Sequence, residues 1–385
     1  MRVLAVIGTR PEAIKIAPVI RELATRPGVE VVTCSTGQHR TMLDQVLSLF
    51  DIRPDHDLAI MAPNQTLNDI TVRVISALKP VLAETKPDVV LVHGDTTTAM
   101  ASALAAFHEG IRIGHVEAGL RTHDMKHPWP EEMNRRVIDV VADLLFAPTR
   151  RSRDMLLAEQ LGGTIFVTGN TVIDALFAMT ERIGSDDALR RQLDEQFSFI
   201  DPTRRLVLVT GHRRESFGDG FRNICDALAR LAERPDIEIV YPVHLNPNVN
   251  VTVREALAGK PNIHLIAPLE YLPFVYLMGR AHIVLTDSGG VQEEAPSLGK
   301  PVLVMRDVTE RPEAVAAGAV QLVGTHSERI VSAVARLLDD AQRHASFARC
   351  INPYGDGHAA RRIADVLTGG AFSPFVASTP LKPEP

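Results

Sequence analysis

Residues 1–24 read MRVLAVIGTRPEAIKIAPVIRELA. The run Val3–Gly8 is continuously apolar and rich in β-branched residues, which suits a strand buried on both faces. Gly8-Thr9-Arg10-Pro11 turns the chain. Apolar residues from Ala13 to Ala24 then recur at helical spacing, with Pro11 at the helix start. A buried strand feeding directly into a helix opens a parallel α/β sheet.

The same unit repeats outward from this point. Strands are expected at Val29–Cys34, Val89–His93, Ile111–Val116 and Phe146–Pro148. A second series is expected at Leu206–Thr210, Ile237–Pro242, Ile263–Ile266, Ile283–Thr286 and Val302–Met305. Helical patterns such as Ala99–His108 and Phe221–Ala232 lie between them. The fold class is therefore α/β, with two Rossmann-like doubly wound domains in tandem. Their boundary is expected between Gly169 and Arg205, where Thr180–Asp201 is polar, helix-prone and strandless. The domains read as residues 1–170 and 171–356. Ligands of open α/β sheets bind beyond the carboxyl ends of strands, so a cleft between facing domains is the expected site. From Ala371 the chain reads AFSPFVASTPLKPEP, with four prolines and no periodicity, and residues 371–385 are expected to be disordered.

Composition removes several classes. A formal net charge of −6 over 385 residues gives no electrostatic footprint for nucleic acid or an anionic membrane. Cys34, Cys225 and Cys350 form neither a disulfide framework nor a CxxC pair. The amino terminus enters a buried strand with no signal-peptide pattern, and no apolar run of about 20 residues occurs, so a cytoplasmic protein is expected. GxGxxG after a strand, GxxxxGK[ST], HExxH and GxSxG are all absent. HDMKH at His123–His127 reads as a polar loop, without matching metal-ligand spacing elsewhere.

The polar residues at strand ends carry the chemistry. Arg10 and Lys15 stand near a helix start suited to an anion. Asp95 follows a strand in VHGDTTTA, Glu117 follows another in GHVEAGLRT, and Glu131 and Glu132 open a helix after Pro130. The second series ends differently. VTGHRRES places His212 and Arg213 after a strand, and a histidine can both carry a proton and bind phosphate. TDSGGVQEEAPSLGKP supplies Ser288, Gly289 and Gly290 in a turn into a helix bearing Glu294, where glycines admit a ligand close to the backbone. Arg306 and Arg311 follow. Carboxylates gather in the first domain, and glycines, histidine and arginines in the second. That division suits proton transfer on one side and a diphosphate on the other.

GTRPEAIKIAPVI, VHGDTTTA, HVEAGLRT, PEEMNRR, FVTGNTVIDAL, YPVHLNP, LTDSGGVQEEAPSLGKPVLVMRD, TERPEA and NPYGDG occur in order over roughly residues 1–369. Together they resemble the non-hydrolysing UDP-N-acetylglucosamine (UDP-GlcNAc) 2-epimerases. The resemblance implies a fold like the GT-B glycosyltransferases, a final helix near 357–369 that packs back on the first domain, and a homodimer. It implies Asp95, Glu117, Glu131 and His212 as proton-handling residues. It implies contacts to the nucleotide sugar from Arg10, Lys15, Arg213, Phe274, Ser288, Gly289, Gly290, Glu294 and Arg311, with Phe274 near the uracil and Glu294 on the ribose. Leu269 stands where some relatives carry glutamine. Gln38, His39, Gln65 and His244 match positions of a second, activating UDP-GlcNAc site in some relatives. The implied reaction inverts C2 and yields UDP-N-acetylmannosamine (UDP-ManNAc), by loss and re-addition of UDP through 2-acetamidoglucal, with no metal or nicotinamide. It would supply surface polysaccharide precursors. Rival readings are a 2-epimerase of another UDP-sugar, such as a diacetamido-uronic acid, a hydrolysing epimerase, a GT-B glycosyltransferase and a UDP-sugar sensor.

Overall fold

The computed structural model describes residues 1–37 and 40–377. The chain divides into two compact units. The first comprises Met1–Ala175 and Tyr354–Val376, and the second Leu176–Pro353. The division falls inside the helix Thr171–Ser185.

The first unit holds strands β1 (Arg2–Ile7), β2 (Glu30–Ser35), β3 (His56–Asp57), β4 (Val89–His93), β5 (Arg112–Val116), β6 (Leu144–Ala147) and β7 (Thr164–Val167). They pair in parallel in the order β3-β2-β1-β4-β5-β6-β7. The second unit holds β8 (Arg205–Thr210), β9 (Ile237–Pro242), β10 (Ile263–Ile266), β11 (Ile283–Thr286), β12 (Val302–Val304) and β13 (Val320–Leu322). Their order is β10-β9-β8-β11-β12-β13, again all parallel. These are doubly wound sheets of the α/β class expected from the sequence.

Both cores follow from the strand composition. Leu4, Val6, Val90, Val92 and Ile113 are buried in the first sheet, and Val207, Val209, Ile239, Tyr241 and Leu285 in the second. Each such side chain contributes about 1.5–3 kcal/mol when fully buried. The strand order reverses between β1 and β4 and between β8 and β11. At these switch points the flanking helices diverge to opposite faces, leaving a crevice beyond the strand ends. Glycines follow the first strand of each unit because nothing larger fits. A Cβ on Gly8 would come within 2.6 Å of the Thr98 side chain, and one on Gly211 within 2.8 Å of the Tyr241 hydroxyl.

The carboxyl-terminal segment returns to the first unit. Its helix Ala359–Leu367 packs against the helix Arg10–Ala24, with Arg26 and Asp365 paired at 2.8 Å. Asp174 accepts the Ala360 and Ala359 N–H groups at 2.8 and 3.2 Å, capping that helix. The expected disorder from Ala371 requires correction over 371–376. Phe372 meets Phe166 edge-on at 5.1 Å, the Phe375 N–H donates to the Val167 carbonyl at 2.8 Å, and the Phe375 side chain is buried. Two aromatic rings outweigh the prolines there. Residues 378–385 lie outside the described residues.

Candidate active site

In the first unit the expected residues converge on the β1/β4 switch point. Glu12 organises the turn after β1. Its Oε2 accepts the Gly8 and Thr9 N–H groups, and its Oε1 accepts the Thr96 hydroxyl from the turn after β4. Thr9 caps the helix Arg10–Ala24 in a reciprocal capping box with Glu12. That cap fixes the entry of the helix carrying Arg10 and Lys15. Burial pushes the Glu12 carboxyl up to about 7 despite these bonds.

After β4, Gly94 adopts φ +66° and Asp95 follows. Arg135 brings a guanidinium nitrogen to 2.6 Å from Asp95 Oδ2, and the Asn134 side chain donates to the Asp95 carbonyl at 2.9 Å. Burial still raises the Asp95 pKa above the ordinary range, against Arg135 and with help from Glu117 and Glu131. Glu131 thus lies within electrostatic reach of Asp95. Its neighbour Glu132 is fully buried, accepting the Thr122 and His123 N–H groups at 3.0 and 3.1 Å, with Arg135 Nη1 at 3.6 Å. Of the two acids opening this helix, Glu132 holds the loop, and Glu131 is the one whose charge raises the Asp95 pKa.

Glu117, just past β5, adopts φ +72°. This left-handed conformation costs a non-glycine residue about 1–3 kcal/mol. It persists because the Glu117 and Ala118 N–H groups both donate to the Phe146 carbonyl at 3.1 Å. The turn aims the carboxylate at Lys15 Nζ and at Asn170 Nδ2, the latter 2.8 Å away. Beneath it, buried His115 meets Asp139 at 2.6 Å and the Gly94 carbonyl at 2.7 Å. Arg121 joins Asp139 at 2.7 Å and Glu159 at 2.8 Å. Burial would raise the Asp139 pKa, but His115 and Arg121 hold it below the ordinary range.

In the second unit the expected residues converge on the β8/β11 switch point. Asp287, fully buried after β11, accepts the His212 and Arg213 N–H groups at 2.7 and 2.8 Å. Its other oxygen lies 3.2 Å from His212 Nδ1. Burial would raise the Asp287 pKa, yet His212 and these N–H groups keep it low. The His212 ring stacks on His244 with centroids 5.7 Å apart. Gly289 and Gly290 begin the short helix Gly289–Glu294 behind Ser288. A Cβ on Gly289 would lie 3.7 Å from Arg213 Nη2 and 3.9 Å from Arg311 Nη2. Two guanidinium groups therefore face the same bare stretch of backbone, an arrangement suited to phosphate oxygens. Glu293 holds Arg311 through Nε, and Glu294 accepts the Tyr271 hydroxyl at 2.7 Å. Leu269 and Phe274 are half-buried, on either side of Tyr271 in the chain.

A sequence profile described as UDP-N-acetylglucosamine 2-epimerase matches residues 21–368. The chain belongs to that family. The UDP-N-acetylglucosamine 2-epimerase of Escherichia coli O157:H7 is 58% identical over 97% of this chain and 100% of its own. The crystal structure of the Neisseria meningitidis UDP-GlcNAc 2-epimerase bound to UDP-GlcNAc is 51% identical, with a TM-score of 0.90 over 96% of this chain and 100% of that one. The Methanocaldococcus jannaschii enzyme, in complex with UDP-GlcNAc and UDP, is 34% identical, with a TM-score of 0.80 over 96% and 100%.

Of the positions that the resemblance assigns to a second site, Gln65 donates to the Ile60 carbonyl at 2.6 Å and His244 is exposed. Gln38 and His39 lie outside the described residues. Burial lowers the His244 pKa, and His212 lowers it further. Sequence reasoning missed Glu12, His93 and Asp287. The Thr-x-x-Glu spacing of Thr9 and Glu12 was a legible capping signal. A polar residue closing an apolar strand was the signal at His93, as was the aspartate directly after β11 at Asp287.

Proposed function

We propose that this chain interconverts UDP-GlcNAc and UDP-ManNAc without releasing free sugar. The observation that carries this reading is the division of chemistry between two switch points. One gathers Asp95, Glu117 and Glu131 with Lys15. The other pairs Arg213 and Arg311 over Gly289. Both liganded relatives named above are UDP-GlcNAc 2-epimerases.

The C2 hydrogen is poorly acidic, because no carbonyl is attached to C2 to stabilise a carbanion. Elimination avoids the carbanion. A carboxylate removes the C2 proton, the electron pair forms the C1–C2 double bond, and the C1–O bond breaks with its electrons passing to the UDP β-phosphate. Arg213, Arg311 and the Gly289 backbone neutralise the leaving diphosphate, and each such donor contributes about 3–4 kcal/mol. UDP then adds back to C1 of 2-acetamidoglucal as a proton reaches the opposite face of C2. Inversion needs proton carriers on both faces. Asp95, Glu117, Glu131 and His212 supply them, each contributing roughly 100- to 10,000-fold. Arg10 and Lys15 bind substrate in the first unit. In the second, Phe274 and Leu269 lie by the uracil, Ser288 and Gly290 by the phosphates, and Glu294 by the ribose. Gln38, His39, Gln65 and His244 form an activating site for a second UDP-GlcNAc. The enzyme is a cytoplasmic homodimer that feeds surface polysaccharide synthesis. Among the described residues no helix is long and apolar enough to cross a membrane.

Incubation with UDP-GlcNAc in D₂O, followed by proton NMR, tests the reading. UDP-ManNAc carrying deuterium at C2 is expected. Free N-acetylmannosamine with UDP would identify a hydrolysing enzyme. An unchanged spectrum would shift the reading to another UDP-sugar or to a sensor.

A further inference from the structure

His93 closes β4, and its register partner across the sheet is Val116, the residue before Glu117. It is 3% exposed, and neither ring nitrogen has a hydrogen-bond partner. Buried imidazoles are normally paired, and an exception calls for an explanation, a catalytic role being one of them. Nε2 faces Glu117 Oε2 at 3.9 Å. His115, two strand-end residues away in the same sheet, shows the alternative, because both of its nitrogens are pinned by acceptors.

We propose that His93 is a positioning residue for Glu117, able to donate to its carboxylate and to accept from its carboxylic acid. This rests on the epimerase reading, in which Glu117 carries a proton during turnover. Two partners that meet Glu117 Oε2 directly, Lys15 Nζ and Asn170 Nδ2, are donors. Donors serve that oxygen while it is unprotonated and oppose it once it carries hydrogen. A neutral imidazole does both, because its single ring hydrogen can occupy either nitrogen. Burial keeps this ring neutral, holding its pKa down to about 3. Glu117 opposes that fall, while Lys15 and His115 reinforce it. These are the titratable groups that act on the ring. Hydrogen bonds of this kind are commonly long in the free enzyme and tighten in the substrate complex.

His93→Phe and His93→Gln separate positioning from packing. Phenylalanine fills the space without nitrogen, whereas an amide offers a donor or an acceptor by turning over. We expect His93→Phe to lower kcat at least about 100-fold with KM for UDP-GlcNAc within about threefold, and His93→Gln to recover at least about tenfold of that loss. A kcat for His93→Phe near wild type, or equal losses in the two variants with KM raised alongside, overturns the inference. A wild-type enzyme that produces no UDP-ManNAc defeats the underlying reading instead. Nitrogen-15 NMR of histidine-labelled protein needs no folded His93 variant. In the free enzyme Nε2 faces the same Glu117 oxygen that accepts from Lys15 and Asn170, so the ring hydrogen is expected on Nε2. A His93 spectrum that places the hydrogen on Nδ1 overturns the inference.

Discussion

Arg135 holds a guanidinium nitrogen 2.6 Å from the Asp95 carboxylate, and the Asp95 pKa is nevertheless raised. Burial outweighs the ion pair. The acid is thereby kept closer to neutrality than a surface aspartate, as a group that must both take and give a proton requires. Arg135→Met removes the larger of the two cationic influences, Arg135 and Lys15, that oppose burial and the neighbouring carboxylates. The Asp95-dependent limb of the kcat–pH profile should move to higher pH. Asp95→Asn should lower kcat by roughly 100- to 10,000-fold at every pH. A profile for Arg135→Met that overlies wild type would detach Asp95 from the rate-limiting proton transfer.

Gly289→Ala tests the diphosphate site without threatening the fold. The added methyl would stand 3.7 Å from Arg213 and 3.9 Å from Arg311, ordinary contact distances, but in the space offered to phosphate oxygens. Thermal stability should hold, while UDP affinity measured by calorimetry falls at least about tenfold, or roughly 1.4 kcal/mol.

Asp287→Ala should act on the same site through the backbone. It frees the His212 and Arg213 N–H groups from their shared acceptor. Leaving such buried groups unpaired costs about 1–3 kcal/mol each. Chemical denaturation should show the loss, accompanied by weaker UDP binding. Full UDP affinity in this variant would mean that Arg213 is held by other contacts.

Glu12 couples acidity to stability. Its folded carboxyl titrates at about 7 against an ordinary 4.5. A raised carboxyl favours the folded state when protonated, so its contribution is complete below about 4.5 and is lost as pH rises through about 7. Relative to Glu12→Gln, the wild type should lose stability across that window, by an amount on the order of 3 kcal/mol. Parallel stability–pH curves for the two proteins would contradict this.

Phe375→Ala should loosen the returning segment. The buried ring bears on Arg362, and its backbone donates to Val167. Removing a buried phenylalanine costs about 3 kcal/mol or more. Amide hydrogen exchange should accelerate over Ala359–Leu367 while the second unit is unaffected.

Much of this architecture was legible because a strand buried on both faces leaves a continuous apolar run. The strands that escaped, β3, β7 and β13, are all edges of their sheets. An edge strand pairs on one side only, so His56–Asp57, Thr164–Val167 and Val320–Leu322 can carry polar or exposed residues. At the site, residues one step beyond a strand were readable because switch-point geometry forces strand ends together. Glu12 and Asp287 left a signal, in the Thr9-x-x-Glu12 spacing and in the place directly after β11, but not their role, since pattern alone does not reveal which carboxylates turn inward to bind backbone N–H groups. The prolines after Ala371 masked Phe372 and Phe375, whose burial depends on the distant residues Phe166 and Val167.

The return of Tyr354–Val376 to the first unit also has a consequence during synthesis. The amino-terminal sheet emerges early, but the helix that covers part of the Arg10–Ala24 helix emerges roughly 200 residues later. At about 5–20 residues per second, that is a wait on the order of 10–40 s. For that interval the nascent chain carries an uncovered apolar surface while the whole second unit is being made. Nascent-chain release before residue 376 should therefore yield a chaperone client rather than a smaller stable protein.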